Sequence, residues 1–428
     1  MMHINKLKLH NFRGADRLEL ELHPTLNLFV GLNGAGKSTI LDASAILLSW
    51  VANRIKNPKV SGRQIVENDI RNGESATALG AELLYYNHSI KWEVVKARQG
   101  MHSGDKRTSL EEVSQLANQL REKITFEEGY TNLPLFVYYP VNRAVLDIPL
   151  RIRDKHKFDL LAAYDESLTR GANFRLFFEW FREREDLENE ARRDREELFR
   201  KGQEVQFPDP QLEAVRLALL HFMPEFSRLT VRRNPLRMEV LKGDKRLLVN
   251  QLSDGEKCLM AMVGDMARRM AIANPKTRNP LAGEALFIID EIDLHLHPEW
   301  QRMVVPRLLE IFPNSQFLIS THSPHVITHI QPESLFLLEM NREGVLRCRK
   351  AAESYGKSVE RILVDLMGLS TTRPDTIQKS INKMFRLIDR GALEDAKLEI
   401  SRLREEIGSD PELVKADVLI KRKELIGK

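Results

Sequence analysis

The chain has little cysteine, no long apolar run and almost no net charge. Its two cysteines, Cys258 and Cys348, match no metal-ligand spacing and read as packed thiols in a reducing cytosol. No stretch approaches the ~18 consecutive apolar residues of a membrane helix. The start, MMHINKLKLHNF, lacks the apolar core of a signal segment. A soluble, cytoplasmic protein with no membrane partner is expected. The net charge of +4 is small against 65 basic and 61 acidic residues, so attraction to nucleic acid would have to come from a local patch. No internal repeat or low-complexity stretch stands out. At 428 residues, with 42% hydrophobic and 29% charged, the chain fits a globular protein of two or three domains.

What is present is concentrated in one stretch, Gly31 to Thr39, which reads GLNGAGKST and fits G-x-x-x-x-G-K-[ST] in full. An apolar run, Leu26 to Val30, leads in, and a helical pattern from Thr39 to Trp50 leads out. Three glycines let successive N–H groups turn into one concavity, and the helix N-terminus adds a positive dipole. This strand–loop–helix predicts an ATP site formed by Asn33, Gly34, Ala35, Gly36, Lys37, Ser38 and Thr39. Lys37 would reach the β- and γ-phosphates, and the Ser38 hydroxyl would bind Mg²⁺.

Upstream, Ile4, Leu7 and Leu9, then Leu18, Leu20 and Leu22, alternate about a polar Asn11–Gly14 turn, as in a small antiparallel sheet. Segments 77–86 and 89–96 predict a hairpin about Asn87-His88, residues 105–123 an amphipathic helix, and Leu135–Tyr139 a buried parallel strand. From Phe177-Phe178-Glu179-Trp180-Phe181 the chain runs into a helix with charges of both signs. That pattern suits a solvated face, or an aromatic head packed on a partner. A helix at Leu212–Phe222 and strands at Leu229–Val231, Met238–Leu241 and Leu247–Val249 follow. From Ser358 the pattern is helical, with breaks at Gly391 and Gly408. The seam Leu393, Ala396, Ile400, Leu403, Ile407 can be buried within the chain or against another copy.

Three further stretches follow in an informative order. Gln251-Leu252-Ser253-Asp254-Gly255-Glu256-Lys257 opens a helix, and Ser253 and Gly255 at its N-terminus make a second anion site. Ala285 to Ile289 is an apolar strand ending in Asp290 and Glu291. Asp290 is placed to hold Mg²⁺, and Glu291 to polarise the attacking water. Leu318-Ile319-Ser320-Thr321-His322 is a further strand whose terminal His322 is a candidate γ-phosphate sensor.

The order P-loop, LSDGE, IIDE, THS resembles the ABC-type ATPase heads of the SMC, RecF and OLD group. The resemblance implies an α/β fold, a mixed sheet flanked by helices, with a helical insertion and a C-terminal helical segment. Domain limits on this reading are 1–144 for the N-terminal lobe, 145–225 for the insertion, 226–357 for the C-terminal lobe and 358–428 for a helical assembly or partner region. It further implies a head-to-head dimer, or a higher even-numbered oligomer, in which Ser253 and Gly255 contact ATP on the other subunit. Arg13 would hold phosphates in cis. Asp293 to Pro298, DLHLHP, resembles the D-loop of this group, and Gln64 is the candidate Q-loop residue.

A narrower likeness rests on Tyr138-Tyr139-Pro140-Val141-Asn142-Arg143, on the aromatic head, and on Tyr355-Gly356-Lys357-Ser358-Val359. These resemble the PtuA-type ATPase subunits of Septu antiphage systems, also found beside some retrons. The implied function is a slow, regulatory ATPase controlling a separate HNH-type, PtuB-like nuclease subunit. After Glu339 no paired-acid D-x-D pattern occurs, which argues against a nuclease in the same chain. The alternative is a RecF-like repair ATPase acting on DNA. Its basic clusters would be Arg151, Arg153, Lys155 and Lys157, and Arg228, Arg232, Arg233 and Arg237, though such clusters are more often solvated surface. A transporter subunit fits least, because LSDGEK departs from the LSGGQ-Arg pattern of transporter heads.

Overall fold

The computed structural model of the protein describes residues 1–86, 88–104, 106–141, 158–169, 171–198 and 208–426. Asn87 of the hairpin turn, Asn142-Arg143 and the cluster Arg151, Arg153, Lys155 and Lys157 lie outside the described residues. The chain divides into two units, 1–357 and 358–428.

In the first unit, β1 (His3–Phe12), β2 (Ala15–Glu21), β4 (Ala76–Tyr85) and β5 (His88–Ala97) form an antiparallel sheet in the order β2-β1-β4-β5. Its alternating apolar residues close over α1 (Lys37–Lys56) and α2 (Glu111–Phe126). Helix α2 starts later than expected, because Thr108 and Ser109 instead extend along β5 by hydrogen bonds to Val95 and Glu93.

A second sheet runs β13-β12-β3-β11-β10-β6, from β3 (Leu26–Val30), β6 (Leu135–Tyr139), β10 (Ala285–Ile289), β11 (Ser315–Thr321), β12 (Leu335–Met340) and β13 (Leu346–Lys350). All its pairings are parallel except β12–β13, so the sheet is mixed. Strands β3, β6, β10 and β11 are buried at every residue. Burial on both faces is what near-continuous apolar runs require of a parallel sheet.

Helices α3 (Phe174–Leu198), α4 (Pro210–Phe222) and α5 (Asp254–Ala273) carry the middle of the chain. A three-stranded antiparallel sheet of β7 (Phe226–Arg233), β8 (Leu236–Lys242) and β9 (Lys245–Leu248) lies between α4 and α5 in sequence. The aromatic head needs no partner: Phe174, Phe177, Phe178, Trp180 and Phe181 are all fully buried within the chain. Gly264 of α5 is the socket for Phe177, since a Cβ there would come within 2.9 Å of the ring. Charges along α3 also turn inward, where Glu185 pairs with Arg233 and Glu188 with Arg216. Helices α6 (Pro298–Ile311) and α7 (Pro324–Ile327) follow β10 and β11.

The second unit begins with the short α8 (Val359–Arg361) and continues into α9 (Asp375–Asp389), α10 (Leu393–Ile407) and α11 (Pro411–Ile426). Its apolar seam is covered from within. Ala396, Ile400 and Leu403 of α10 pack with Ile377, Ile381, Met384 and Ile388 of α9 and with Leu413, Ala416 and Ile420 of α11. Among the described residues no helix is long and apolar enough to cross a membrane.

Candidate nucleotide site

Strand order creates the site. Because β11 lies between β3 and β10, the loops after these three strands leave the same edge of the sheet. They are the P-loop, the Asp290–Glu291 turn and the His322 turn.

The P-loop glycines have distinct reasons. A Cβ on Gly31 would fall 2.4 Å from the Leu338 carbonyl oxygen of β12, so a neighbouring strand demands its absence. Gly34 and Gly36 take φ of 80° and 92°, which glycine adopts without steric cost. Gly36 then caps α1 without any side-chain hydrogen bond, and the first turn holds no acidic residue. The positive helix end is left to attract an anion. Lys37 is buried and folded back, its Nζ donating to the carbonyls of Gly31 at 2.9 Å and Leu32 at 3.1 Å. Burial pulls the Lys37 ammonium below its ordinary range, opposed by Glu291, Asp290 and Asp293. Ser38 is exposed at the start of the helix.

Asp290 is buried, and its N–H donates to the Tyr139 carbonyl at 2.8 Å. Ser320, one strand over, joins the two carboxylate residues: its Oγ donates to Asp290 Oδ1 and accepts the Glu291 N–H at 2.8 Å. Glu291 has a φ of 48°, a left-handed conformation that costs a non-glycine residue about 1 kcal/mol or more. That twist sets Glu291 Oε1 3.7 Å from His322 Nε2. Burial lowers the His322 pKa and the nearby Lys37 lowers it further, opposed by Glu291, Asp293 and Asp290, which favours the neutral imidazole. Asp293 accepts the Thr321 hydroxyl and, at 3.3 Å, the His322 N–H, which locks this turn.

The structure therefore brings Lys37, Asp290, Glu291 and His322 to one locus. The other predicted site residues have different neighbours. Arg13, at a φ of 49°, pairs with Asp42 of α1 at 2.8 Å and with Asp69 at 2.9 Å. Ser253 caps α5 in a reciprocal box with Glu256, whose Oε2 takes the Ser253 N–H at 2.7 Å and hydroxyl at 2.8 Å. Gly255 lies against the DLHLHP turn, and a Cβ there would meet the His295 carbonyl oxygen at 2.3 Å. Gln64 is exposed and donates to the Gly62 carbonyl at 3.3 Å.

Sequence reasoning missed Ser320 as a bridge. Its signal was a polar pair, Ser320-Thr321, closing the apolar run Phe317-Leu318-Ile319. It also missed a fully buried charge network, in which Asp265 of α5 receives Arg268 at 2.7 Å, Arg269 at 2.8 Å and the Tyr139 hydroxyl at 3.0 Å. Burial alone would push the Asp265 carboxyl up, but Arg269 and Arg268 hold it below its ordinary range. Tyr139 thus joins α5 to the backbone of Asp290.

The Ser320 bridge carries a prediction. Ser320→Ala removes both hydrogen bonds and should lower ATP turnover about ten-fold, with KM for ATP little changed and Ser320→Thr restoring most of the rate. Steady-state kinetics check this, and an unchanged kcat in the alanine variant removes the bridge from the mechanism.

These residues suit the ligands implied by their pattern. The uncapped N–H groups of α1 and the Lys37 ammonium fit a polyphosphate. A hydroxyl and a carboxylate, Ser38 and Asp290, are hard oxygen donors of the kind Mg²⁺ takes in small number. Among the described residues no group of three metal-ligating side chains occurs.

The chain is also similar to known proteins. Residues 26–328 match the family described as "AAA domain, putative AbiEii toxin, Type IV TA system". The chain is 29% identical to the Retron Ec83 probable ATPase of Escherichia coli, over 96% of this chain and 85% of that one. It is 23% identical to the Septu protein PtuA of Bacillus thuringiensis, over 91% and 90% of the two chains. A solved SMC head bound to the C-winged helix domain of ScpA superposes with a TM-score of 0.47 at 16% identity, covering 82% of this chain and 97% of that one. The family match spans well over half of the sequence, and the chain belongs to this family of AAA-type ATPase domains.

Proposed function

We propose that this ATPase is the nucleotide-controlled subunit of an antiphage defence complex and governs a separate HNH-type nuclease. The convergence of Lys37, Asp290, Glu291 and His322 on one sheet edge carries the ATPase half of the reading. The likeness to retron ATPases and to Septu protein PtuA supports the defence half.

On this reading the P-loop N–H groups from Asn33 to Thr39 cradle the phosphates. Lys37 exchanges the Gly31 and Leu32 carbonyls for phosphate oxygens. Ser38 and Asp290 are the residues that would hold Mg²⁺, which compensates phosphate charge when bound. Glu291 takes a proton from the attacking water, and neutral His322 beside it donates a hydrogen bond to the γ-phosphate. Arg13, preset by Asp42 and Asp69, supports the phosphates from the same subunit. Ser253 and Gly255 meet the ATP of a second copy. ATP restrains the nuclease in the unstimulated cell, because a cell rich in ATP needs its default state to be the harmless one.

Co-purification with the product of the neighbouring gene, with and without ATP, tests the proposal. A stable complex with an HNH nuclease is expected, and a lone ATPase beside repair genes would overturn it. The trans role of Ser253 has its own test. Ser253→Arg places a bulky cation at the α5 N-terminus and should abolish ATP-driven pairing of heads while sparing ATP binding. Sedimentation with ATP reads this out, and a variant that still pairs and hydrolyses normally removes Ser253 from the interface.

A further inference from the structure

The three-stranded sheet of β7, β8 and β9 holds more positive charge than its size warrants. Residues 226–248 contain seven basic and two acidic side chains, a net of +5, while the whole chain is +4. The remaining residues therefore sum to −1. Two of the cations are already neutralised at the rim. Arg233 pairs with Glu185 and Asp186 of α3, and Lys242 with Glu225 and Glu256.

Register places three of the other five, Arg232, Arg237 and Arg246, on one face. Arg232 stands opposite Arg237, Thr230 opposite Glu239, Glu239 opposite Leu248, and Leu241 opposite Arg246. Directly paired residues share a face, so these side chains point one way, whereas Val231, Met238 and Val240 are buried on the other. On the outer face three arginines converge on one carboxylate. Arg237 lies 2.7 Å from Glu239, Arg232 3.0 Å and Arg246 3.9 Å. Glu239 has only 6% of its side chain exposed, against 38%, 49% and 66% for these arginines. The glutamate is a sunken anchor that splays the guanidinium groups across the surface. Two carboxylate oxygens cannot take the donors of three guanidinium groups, and two positive charges remain uncompensated within this cluster.

We infer that this face binds the phosphate backbone of a nucleic-acid duplex. Guanidinium groups match phosphate oxygens two at a time, and a cluster held in place loses less freedom on binding than free side chains would. Besides the arginines the face presents Thr230, Leu241 and Leu248, with no aromatic ring. It thus lacks the stacking platform by which proteins hold single strands, and a repeating row of phosphates is the anion it complements. The surface stands apart from the proposed control of a nuclease, since none of its residues belongs to the nucleotide site.

The test is fluorescence anisotropy with the full chain and a short labelled DNA duplex of mixed sequence, titrated across salt concentrations. Arg246→Glu alters the most exposed arginine and leaves Glu239 its two closer partners. Arg232→Gln removes a charge but keeps an amide that can donate to Glu239, so the anchor stays satisfied. Each variant should bind the duplex roughly ten-fold more weakly. The log–log salt slope should flatten by about one for each phosphate that the variant no longer neutralises. Circular dichroism and ATP turnover without DNA should match the wild type. Wild-type duplex affinity in both variants overturns the inference. So does tighter binding of a single strand of equal length, or equal competition by polyglutamate of the same charge, which would point to an acidic protein instead.

Discussion

Lys37→Ala is expected to weaken ATP binding by roughly two orders of magnitude or more while leaving the first unit folded. The side chain is buried, its Nζ satisfied by the Gly31 and Leu32 carbonyls, and burial has already weakened its ammonium's hold on its proton. Anionic phosphate oxygens are stronger partners for that ammonium than neutral carbonyls, so binding releases a cation that is poorly solvated in the free protein. Charge-assisted hydrogen bonds of this kind contribute about 1.5–3 kcal/mol each, and removing two or more lowers affinity by roughly two orders of magnitude or beyond. The uncapped helix end remains, which is why the fold should survive. A second readout accompanies the first. Burial is the main cause of the low His322 pKa and Lys37 the next, so removing Lys37 should raise it. Isothermal titration calorimetry checks affinity and NMR titration checks the imidazole. Wild-type ATP affinity would mean that this loop is not a phosphate cradle.

Glu291→Gln should separate binding from hydrolysis. Glutamine keeps the length and shape of the side chain and tolerates the φ of 48° no worse than glutamate, so the Ser320 bridge to the backbone N–H persists. What disappears is the capacity to accept a proton from water. General-base assistance of this kind accounts for ~10²–10⁴ in rate, and turnover should fall by that factor with ATP affinity retained. The ATP-bound state then accumulates. If ATP restrains the nuclease, a purified complex carrying Glu291→Gln should stay silent as ATP is raised, and cells carrying it should lose protection. Measuring nuclease activity of that complex across ATP concentrations decides the sign. Cleavage stimulated by trapped ATP overturns the restraint model, and hydrolysis at the wild-type rate removes Glu291 as the base.

Neutral His322 gives the same site a pH limit. As pH falls through its lowered pKa the imidazole gains a charge next to Lys37, disfavoured by both burial and repulsion. The neighbouring Glu291 carboxylate offsets part of that cost.

How much of this could be read beforehand depends on how far apart the cooperating residues lie in the chain. The P-loop and the breaks at Gly391 and Gly408 are local devices, set by backbone chemistry within one or two turns. They are legible because the residues that cooperate are adjacent. The buried strands β6 and β10 announced themselves by unbroken apolar runs, and β3 by one interrupted only at Asn27, since water is excluded from both of their faces. Other features depended on folding. Ser320 became a bridge only when β11 was laid against β10, 30 residues from Asp290. Gly31 read as a phosphate-loop glycine and Gly255 as part of an anion site at a helix N-terminus, yet a β12 carbonyl and the His295 carbonyl explain why neither has a side chain. The aromatic head suited a partner's surface on paper and was claimed instead by α5, where Gly264 leaves room for Phe177. The basic residues of β7–β9 were ambiguous as a string of letters. Strand pairing put Arg232, Arg237 and Arg246 on one face around a single buried glutamate. Sequence alone determined the chemistry that neighbouring residues share, because it is written in local backbone geometry. Tertiary structure decided which distant polar groups satisfy one another, because burial penalises each that finds no partner.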